Sequence, residues 1–155
     1  MRKDYLLLLT PLILFFSCNT NNRLPVYGNK TAVVKNQNGT QTVDSIDYTL
    51  PDFSYVDQDS NVVNANTIHN KIFVTEFFFT SCPSICPKMQ AQMLRFYEKY
   101  KSNPDVIILA FTIDPVRDTV AKLKAYEKKL GIESSKWHLL TGVKDSIYHL
   151  ADSFL

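Results

Sequence analysis

The chain predicts an α/β fold with a mostly parallel central sheet flanked by helices. Three observations predict it. Apolar strand runs alternate with amphipathic helix patterns from Lys71 onward, as βαβ units do. The strand runs are near-continuously apolar, as expected of strands buried on both faces. And the first of them runs directly into two cysteines, Cys82 and Cys86, at the start of a helix pattern in "IFVTEFFFTSCPSICPKM".

The elements follow in order. Residues 19–50 are polar, with weak strands around Ala32–Lys35 and Thr40–Val43 joined by Asn38-Gly39, a strong hairpin turn signal. The domain proper is expected to start near Tyr48–Pro51, so that 18–47 form a tether and weak strands and 48–155 the domain. "FSYVDQDSNVV" reads as a second hairpin with Asp57–Asn61 as its turn. Ile72–Phe79 is the central strand. Residues 87–101 carry Met89, Met93, Phe96/Tyr97 and Tyr100 on one helical face. Val106–Ile113 is the next strand, Asp118–Leu130 a helix stopped by Gly131, and Trp137–Thr141 a third strand. Val143, Ile147, Leu150, Ala151 and Phe154 mark a last helix, which ends on its own apolar stripe; further strands are expected to follow.

The N-terminus reads as a targeting segment. Arg2 and Lys3 precede an apolar stretch from Leu6 to Phe16 broken only by Thr10 and Pro11. A mature bilayer span needs about 20 residues, so this stretch is short for one. It ends in "FFSC" and resembles a bacterial lipoprotein signal, with cleavage after residue 17 and acylation of Cys18. An exported protein held by a lipid anchor on the extracytoplasmic (periplasmic) face of a membrane is the expectation. The formal net charge of +2 and the scarcity of glycine, with 4 in the chain, leave no basic patch for nucleic acid and no glycine-rich phosphate loop.

Setting Cys18 aside leaves one sulfur pair. Residues four apart on a helix have Cβ atoms roughly 5–6 Å apart, whereas a disulfide wants about 3.5–4.5 Å. Two sulfurs sharing a metal at about 2.3 Å each tolerate the wider gap. Helical cysteines would therefore favour a metal. Pro83 biases Cys82 toward an extended conformation, and a loop there would let the pair close into a disulfide. A metal site, a redox pair and a structural disulfide all stay open. Thiolates are soft ligands that suit Cu(I), zinc or iron–sulfur chemistry, and no second cysteine pair exists to complete a zinc site. Of the histidines, His69 reads as a surface loop residue, His138 lies in a strand, and His149 lies off the stripe of the last helix. Met89 and Met93 read as core. Thr80, two before Cys82, raises a peroxidase reading, which wants the threonine three before.

Three motifs in order resemble the Sco/SenC family over roughly Pro51 to Leu155: "FFFTSCPSICPKM", "FTIDPVRDT" at 111–119 and "WHLLTG" at 137–142. The resemblance implies a thioredoxin-like fold whose last strands lie beyond this chain. It also implies a membrane-tethered copper protein that assists assembly of the CuA centre of cytochrome c oxidase. Cys82 and Cys86 would be the copper thiolates and the redox-active pair. The third ligand would be a distal histidine in a hairpin after the last helix, aligned with none of His69, His138 and His149. Asp114, Pro115, Arg117 and Asp118 match the second motif in a structural or docking role, with Pro115 as turn and Asp118 as helix cap. The partner implied is the oxidase subunit carrying the CuA site. The alternative is an extracytoplasmic thiol–disulfide oxidoreductase.

Overall fold

The computed structural model describes residues 31–37, 40–46 and 50–154, with side chains from residue 50. The signal segment, Cys18, the tether before residue 31 and the Asn38-Gly39 turn lie outside the described residues. β1 (Thr31–Gln37) and β2 (Thr40–Ile46) pair antiparallel, with Gln37 opposite Thr40. The two weak strands are therefore present, and longer than the sequence signalled.

β3 (Ser54–Val56) and β4 (Val62–Asn64) form the second hairpin. Asp57 sets its turn: Oδ1 accepts the N–H groups of Asp59 and Asn61, both at 2.9 Å, the local bonding that makes aspartate a turn residue. α1 (Ala65–Ile68) follows. It is a single turn that hydrophobic periodicity does not reveal. Asn64 and Thr67 form its reciprocal capping box.

The body of the domain is a parallel sheet in the order β5-β6-β7, from β5 (Ile72–Phe78), β6 (Val106–Thr112) and β7 (Trp137–Leu140). α2 (Ile85–Tyr100) and α3 (Val120–Leu130) make the crossovers, and α4 (Lys144–Ser153) ends the described chain. Every residue of β6 is buried, and its side chains alternate between two cores. Ile108 and Ala110 meet Phe78, Tyr97 of α2, Leu123 of α3 and Trp137. Ile107, Leu109 and Phe111 meet Phe53, Tyr55, Val63 and, from α4, Ile147 and Leu150. Ile147 and Leu150 carry the burial of α4, while Val143 and Phe154 are exposed. Among the described residues β5 pairs only with β6.

Gln58 joins the hairpin to the sheet. Val56 and Thr141 exchange backbone hydrogen bonds of 3.1 and 2.9 Å. Beyond them the Gln58 amide donates to the Trp137 carbonyl at 2.8 Å and accepts the Leu139 N–H at 2.7 Å. A side-chain amide thus stands in for a strand along β7, which accounts for a buried glutamine in a turn.

One helix boundary, the start of α3, differs from expectation. α3 is capped by Thr119, whose side chain accepts the Lys122 N–H. Asp118 is not the cap, because its carboxylate is taken by two strand ends. α2 starts at Ile85, so Cys86 lies in its first turn and Cys82 outside it. Gly131 ends α3 in the left-handed region at φ 69°, as its position predicted.

Glu76 of β5 is buried among these apolar groups. Its Oε1 accepts from Gln90 of α2 at 3.2 Å and its Oε2 has no partner. Burial outweighs the lowering by Gln90 and by the nearby Trp137 indole, which lies outside normal hydrogen-bond geometry, and pushes the carboxyl up to about 7, from 4.5. The folded state therefore holds this proton more tightly than the unfolded chain. Its stabilising effect is complete below about pH 4.5 and is lost as pH rises through 7, a fall on the order of 3 kcal/mol at 1.36 kcal/mol per unit. Glu76→Gln should flatten this slope: urea unfolding at pH 5 and pH 8 should show the wild type losing stability and the variant holding it.

Candidate functional site

β5 and β6 run side by side and both lead into Phe-Thr: Phe79-Thr80 after β5 and Phe111-Thr112 at the end of β6. Both threonines turn to one carboxylate. Asp118, only 1 % exposed, accepts the Thr80 N–H at 2.9 Å and the Thr80 hydroxyl at 2.5 Å. It also accepts the Thr112 hydroxyl at 2.6 Å. Lys122, one turn along α3, lies 3.4 Å from the same carboxylate and donates to Ser81 Oγ at 3.0 Å. Burial would raise the Asp118 carboxyl, but the donors from Thr112 and Thr80 outweigh it and hold it below the usual range. The loop that carries the first cysteine is therefore anchored at Thr80 and Ser81, the two residues before it.

Cys82 follows at once, its N–H donating to the Phe79 carbonyl at 3.2 Å. Pro83 disfavours helix at the preceding residue, and Cys82 stays out of α2. Ser84, the N-cap of α2, makes no side-chain capping bond. Instead the Cys86 N–H donates to Cys82 Sγ at 3.4 Å. A sulfur thus takes the place of the capping oxygen at the helix N-terminus, where free N–H groups and the helix dipole favour negative charge. Both cysteines are free thiols, 9 % and 5 % exposed.

The two sulfurs are unlike. The Cys86 thiol, then the N–H groups of Ser84 and Cys86, lower the Cys82 thiol to about 7. Burial pushes the Cys86 thiol up, and Cys82 as its hydrogen-bond partner adds to the shift. Of the two, Cys82 ionises first, and it does so near neutral pH.

The second motif forms the neighbouring turn. Asp114 accepts the N–H groups of Arg117 and Asp118 on its carbonyl, and its carboxylate pairs with Arg117 at 3.3 Å. Pro115 lies inside this turn, as expected. The hydroxyl of Thr80 is spent on Asp118, which counts against the peroxidase reading. The histidines are elsewhere: His69 is exposed after α1, His149 is exposed on α4, and His138 Nδ1 meets Asp57 Oδ2 at 3.1 Å. Among the described residues no set of three His, Cys, Asp or Glu side chains converges to hold a metal. The structure thus brings together Cys82 and Cys86 and adds no third ligand. Met93 packs on the core as expected, and Met89 is half-buried. Sequence reading missed the Thr80–Asp118–Thr112 cluster and the Glu76–Gln90 pair. The repeated Phe-Thr strand ends were the available signal for the first; nothing marked the second.

The described geometry has known counterparts. The family model described as SCO1/SenC matches residues 41–155. The SCO1 protein homolog of Bacillus subtilis (strain 168) is 32 % identical over 109 residues, which are 70 % of this chain and 56 % of that protein. Three solved structures superpose on it. A SCO1/SenC family lipoprotein from Bacillus anthracis has a TM-score of 0.64 at 30 % identity, covering 69 % of this chain and 65 % of its own. BsSco, described as a member of the Sco family of cytochrome c oxidase assembly proteins with a disulfide switch, has a TM-score of 0.63 at 30 % identity, covering 72 % and 66 %. Arabidopsis thaliana ScoI with copper bound has a TM-score of 0.57 at 31 % identity, covering 67 % and 64 %. The chain spans about half the length of the curated relatives it matches, 56 % and 49 % for the first two. These neighbours carry the thioredoxin-like fold expected from the motifs. With the family model matching most of its length, the chain belongs to the SCO1/SenC family.

Proposed function

We propose that this chain acts as a lipid-anchored copper carrier that takes Cu(I) as cargo on Cys82 and Cys86 and serves assembly of the CuA site of cytochrome c oxidase. The observation that carries the reading is the sulfur pair at the head of α2, with Cys82 Sγ hydrogen-bonded by the Cys86 N–H. Two adjacent sulfurs, one of them ionising near neutral pH, are a soft donor set that fits Cu(I). The second sulfur can share the ion without moving across the fold. The anchoring of Thr80 by Asp118 holds the first sulfur in place, as supporting shells do around metal ligands. Copper bound to Arabidopsis ScoI and the oxidase assembly role given for BsSco support the cargo and the destination. The resemblance implies a histidine as third ligand, and none of His69, His138 and His149 joins the two sulfurs among the described residues.

The anchor is proposed on the "FFSC" pattern before Cys18, with support from the Bacillus anthracis relative, which is a lipoprotein. It puts the domain on the extracytoplasmic side of the membrane.

A specific observation favours a second reading, thiol–disulfide exchange. A lowered outer thiol beside a raised inner one is the division between attacking and resolving cysteines. In that reaction the Cys82 thiolate attacks a target disulfide and releases one target thiolate. Cys86 then loses its proton and displaces the second, closing the Cys82–Cys86 disulfide. The protein is oxidised by two electrons and the target reduced by two. The disulfide switch described for BsSco supports this reading.

Three measurements check these readings. Competition against a Cu(I) chelator should give one ion per chain. Cys82→Ser or Cys86→Ser should weaken uptake by more than the ~10–100-fold that loss of a supporting group costs; undiminished uptake in both variants would sink the copper reading. The rate of thiol alkylation against pH should rise through a midpoint near 7 belonging to Cys82. Cys86→Ala should move that midpoint upward, because the principal donor to the Cys82 sulfur is gone. In cells, Cys18→Ala should abolish lipid labelling and release the protein from the membrane fraction.

A further inference from the structure

A groove opens beside Cys82 between α2 and α3. It encloses about 250 Å³, with Cys82 at one end, a floor of Ala91, Leu94, Tyr126 and Leu130, and Lys129 on its rim. A second hollow of about 200 Å³ shares Thr80, Tyr126 and Lys129 with it and adds Lys122. The two form one trough that ends at the outer sulfur. The first hollow falls below the roughly 300–1,000 Å³ typical of small-molecule pockets; it has room for a side chain or two. Its floor is held still, since Tyr126 stacks on Phe78 with centroids 5.7 Å apart and Leu94 packs on the buried core. No acidic residue lines either hollow. Lys122 is partly neutralised by Asp118. Lys129 stands over the Tyr126 ring at 6.0 Å and makes no salt bridge among the described residues. Ile85, between the two cysteines, is 57 % exposed.

We infer that this trough docks an extended, acidic segment of the protein partner, with one apolar side chain seated on the Leu94–Tyr126 floor and the partner's own cysteine delivered to Cys82. The single uncompensated lysine sets the sign of the partner's charge. The apolar floor sets the need for a side chain such as leucine near the reacting sulfur. The volume excludes a bulky cofactor. The inference rests on the proposed sulfur chemistry for the partner's cysteine and adds what surrounds that cysteine.

The test uses the full chain carrying Cys86→Ala, in detergent, and four synthetic peptides, each with one cysteine disulfide-bonded to thionitrobenzoate. The flanking residues are Asp with Leu, Asp with Gly, Lys with Leu, or Lys with Gly. In each reaction the Cys82 thiolate attacks the peptide sulfur. The Cys82–peptide disulfide forms, the peptide–thionitrobenzoate bond breaks, and the coloured thiolate leaves with the electron pair. Rates are divided by the rate with hydroxyethyl disulfide, which is too small to fill the trough. The Asp/Leu peptide should react at least about tenfold faster than Lys/Gly, the low end of electrostatic steering. The charge advantage should shrink as salt rises from 0.1 M to 1 M and the screening length falls from about 10 Å to 3 Å. Lys129→Glu should reverse the Asp/Lys order. Normalised rates within twofold for all four peptides, or an unchanged order in Lys129→Glu, would overturn the docking inference. Cu(I) uptake by the wild-type protein separates the two ideas. Uptake without peptide discrimination rejects the trough and keeps the copper site; discrimination without uptake supports the trough and rejects the copper reading.

Discussion

The Asp118 carboxylate is the contact on which the site depends. It is buried where three donors converge, the amide and hydroxyl of Thr80 and the hydroxyl of Thr112. A hydrogen bond to a charged group contributes about 1.5–3 kcal/mol, and a buried donor left without its partner costs a similar amount. The three bonds tie the loop after β5 to the end of β6 and to the approach to α3. Without them the segment before Cys82 would keep only the Ser81–Lys122 bond, the Cys82 N–H to the Phe79 carbonyl and the packing of Phe79 on the core. The position of a reactive sulfur at a helix N-terminus is thus fixed from behind, by a group that does not touch it.

The other buried polar groups divide by whether they are satisfied. Gln58 makes two good hydrogen bonds along β7 and closes the seam between hairpin and sheet. Asp57 is shared between its own turn and His138, so the histidine of β7 supports the hairpin and is committed far from the sulfurs. Glu76 is less well satisfied, as are its neighbours Thr75, Gln90 and Trp137, and its carboxyl is pushed toward neutrality by burial. It contributes to the raised Cys86 thiol through its charge, a smaller effect than burial itself. The chain tolerates a buried acid beneath the inner cysteine at a cost in stability that grows with pH.

How legible the fold was depends on the range of the forces that set each element. β6 and the α3 stop at Gly131 follow from apolar runs and a left-handed glycine, both local, and the sequence locates them well. The hairpin turn at Asp57–Asn61 is local too. α1 escaped because four residues leave no periodicity to read. The start of α2 at the cysteine pair was legible, but not that a sulfur from outside the helix, rather than a capping side chain of its own, meets its amide row. Asp118 was read as a helix cap. Its spacing fits a cap, and only the approach of two threonines, one of them 38 residues distant, gives it a better set of donors than the helix offers.

The sequence by itself determined that strand and helix alternate, that two cysteines sit four apart where one becomes the other, and that three motifs mark the family. These are properties of neighbours along the chain. Tertiary structure alone decided that the two sulfurs differ in acidity, that Asp118 holds the cysteine loop, and that the trough reaching Cys82 is apolar with a basic rim. Each of these depends on burial and on partners brought together by the parallel sheet, and neither desolvation nor a long-range hydrogen bond is written in the order of residues.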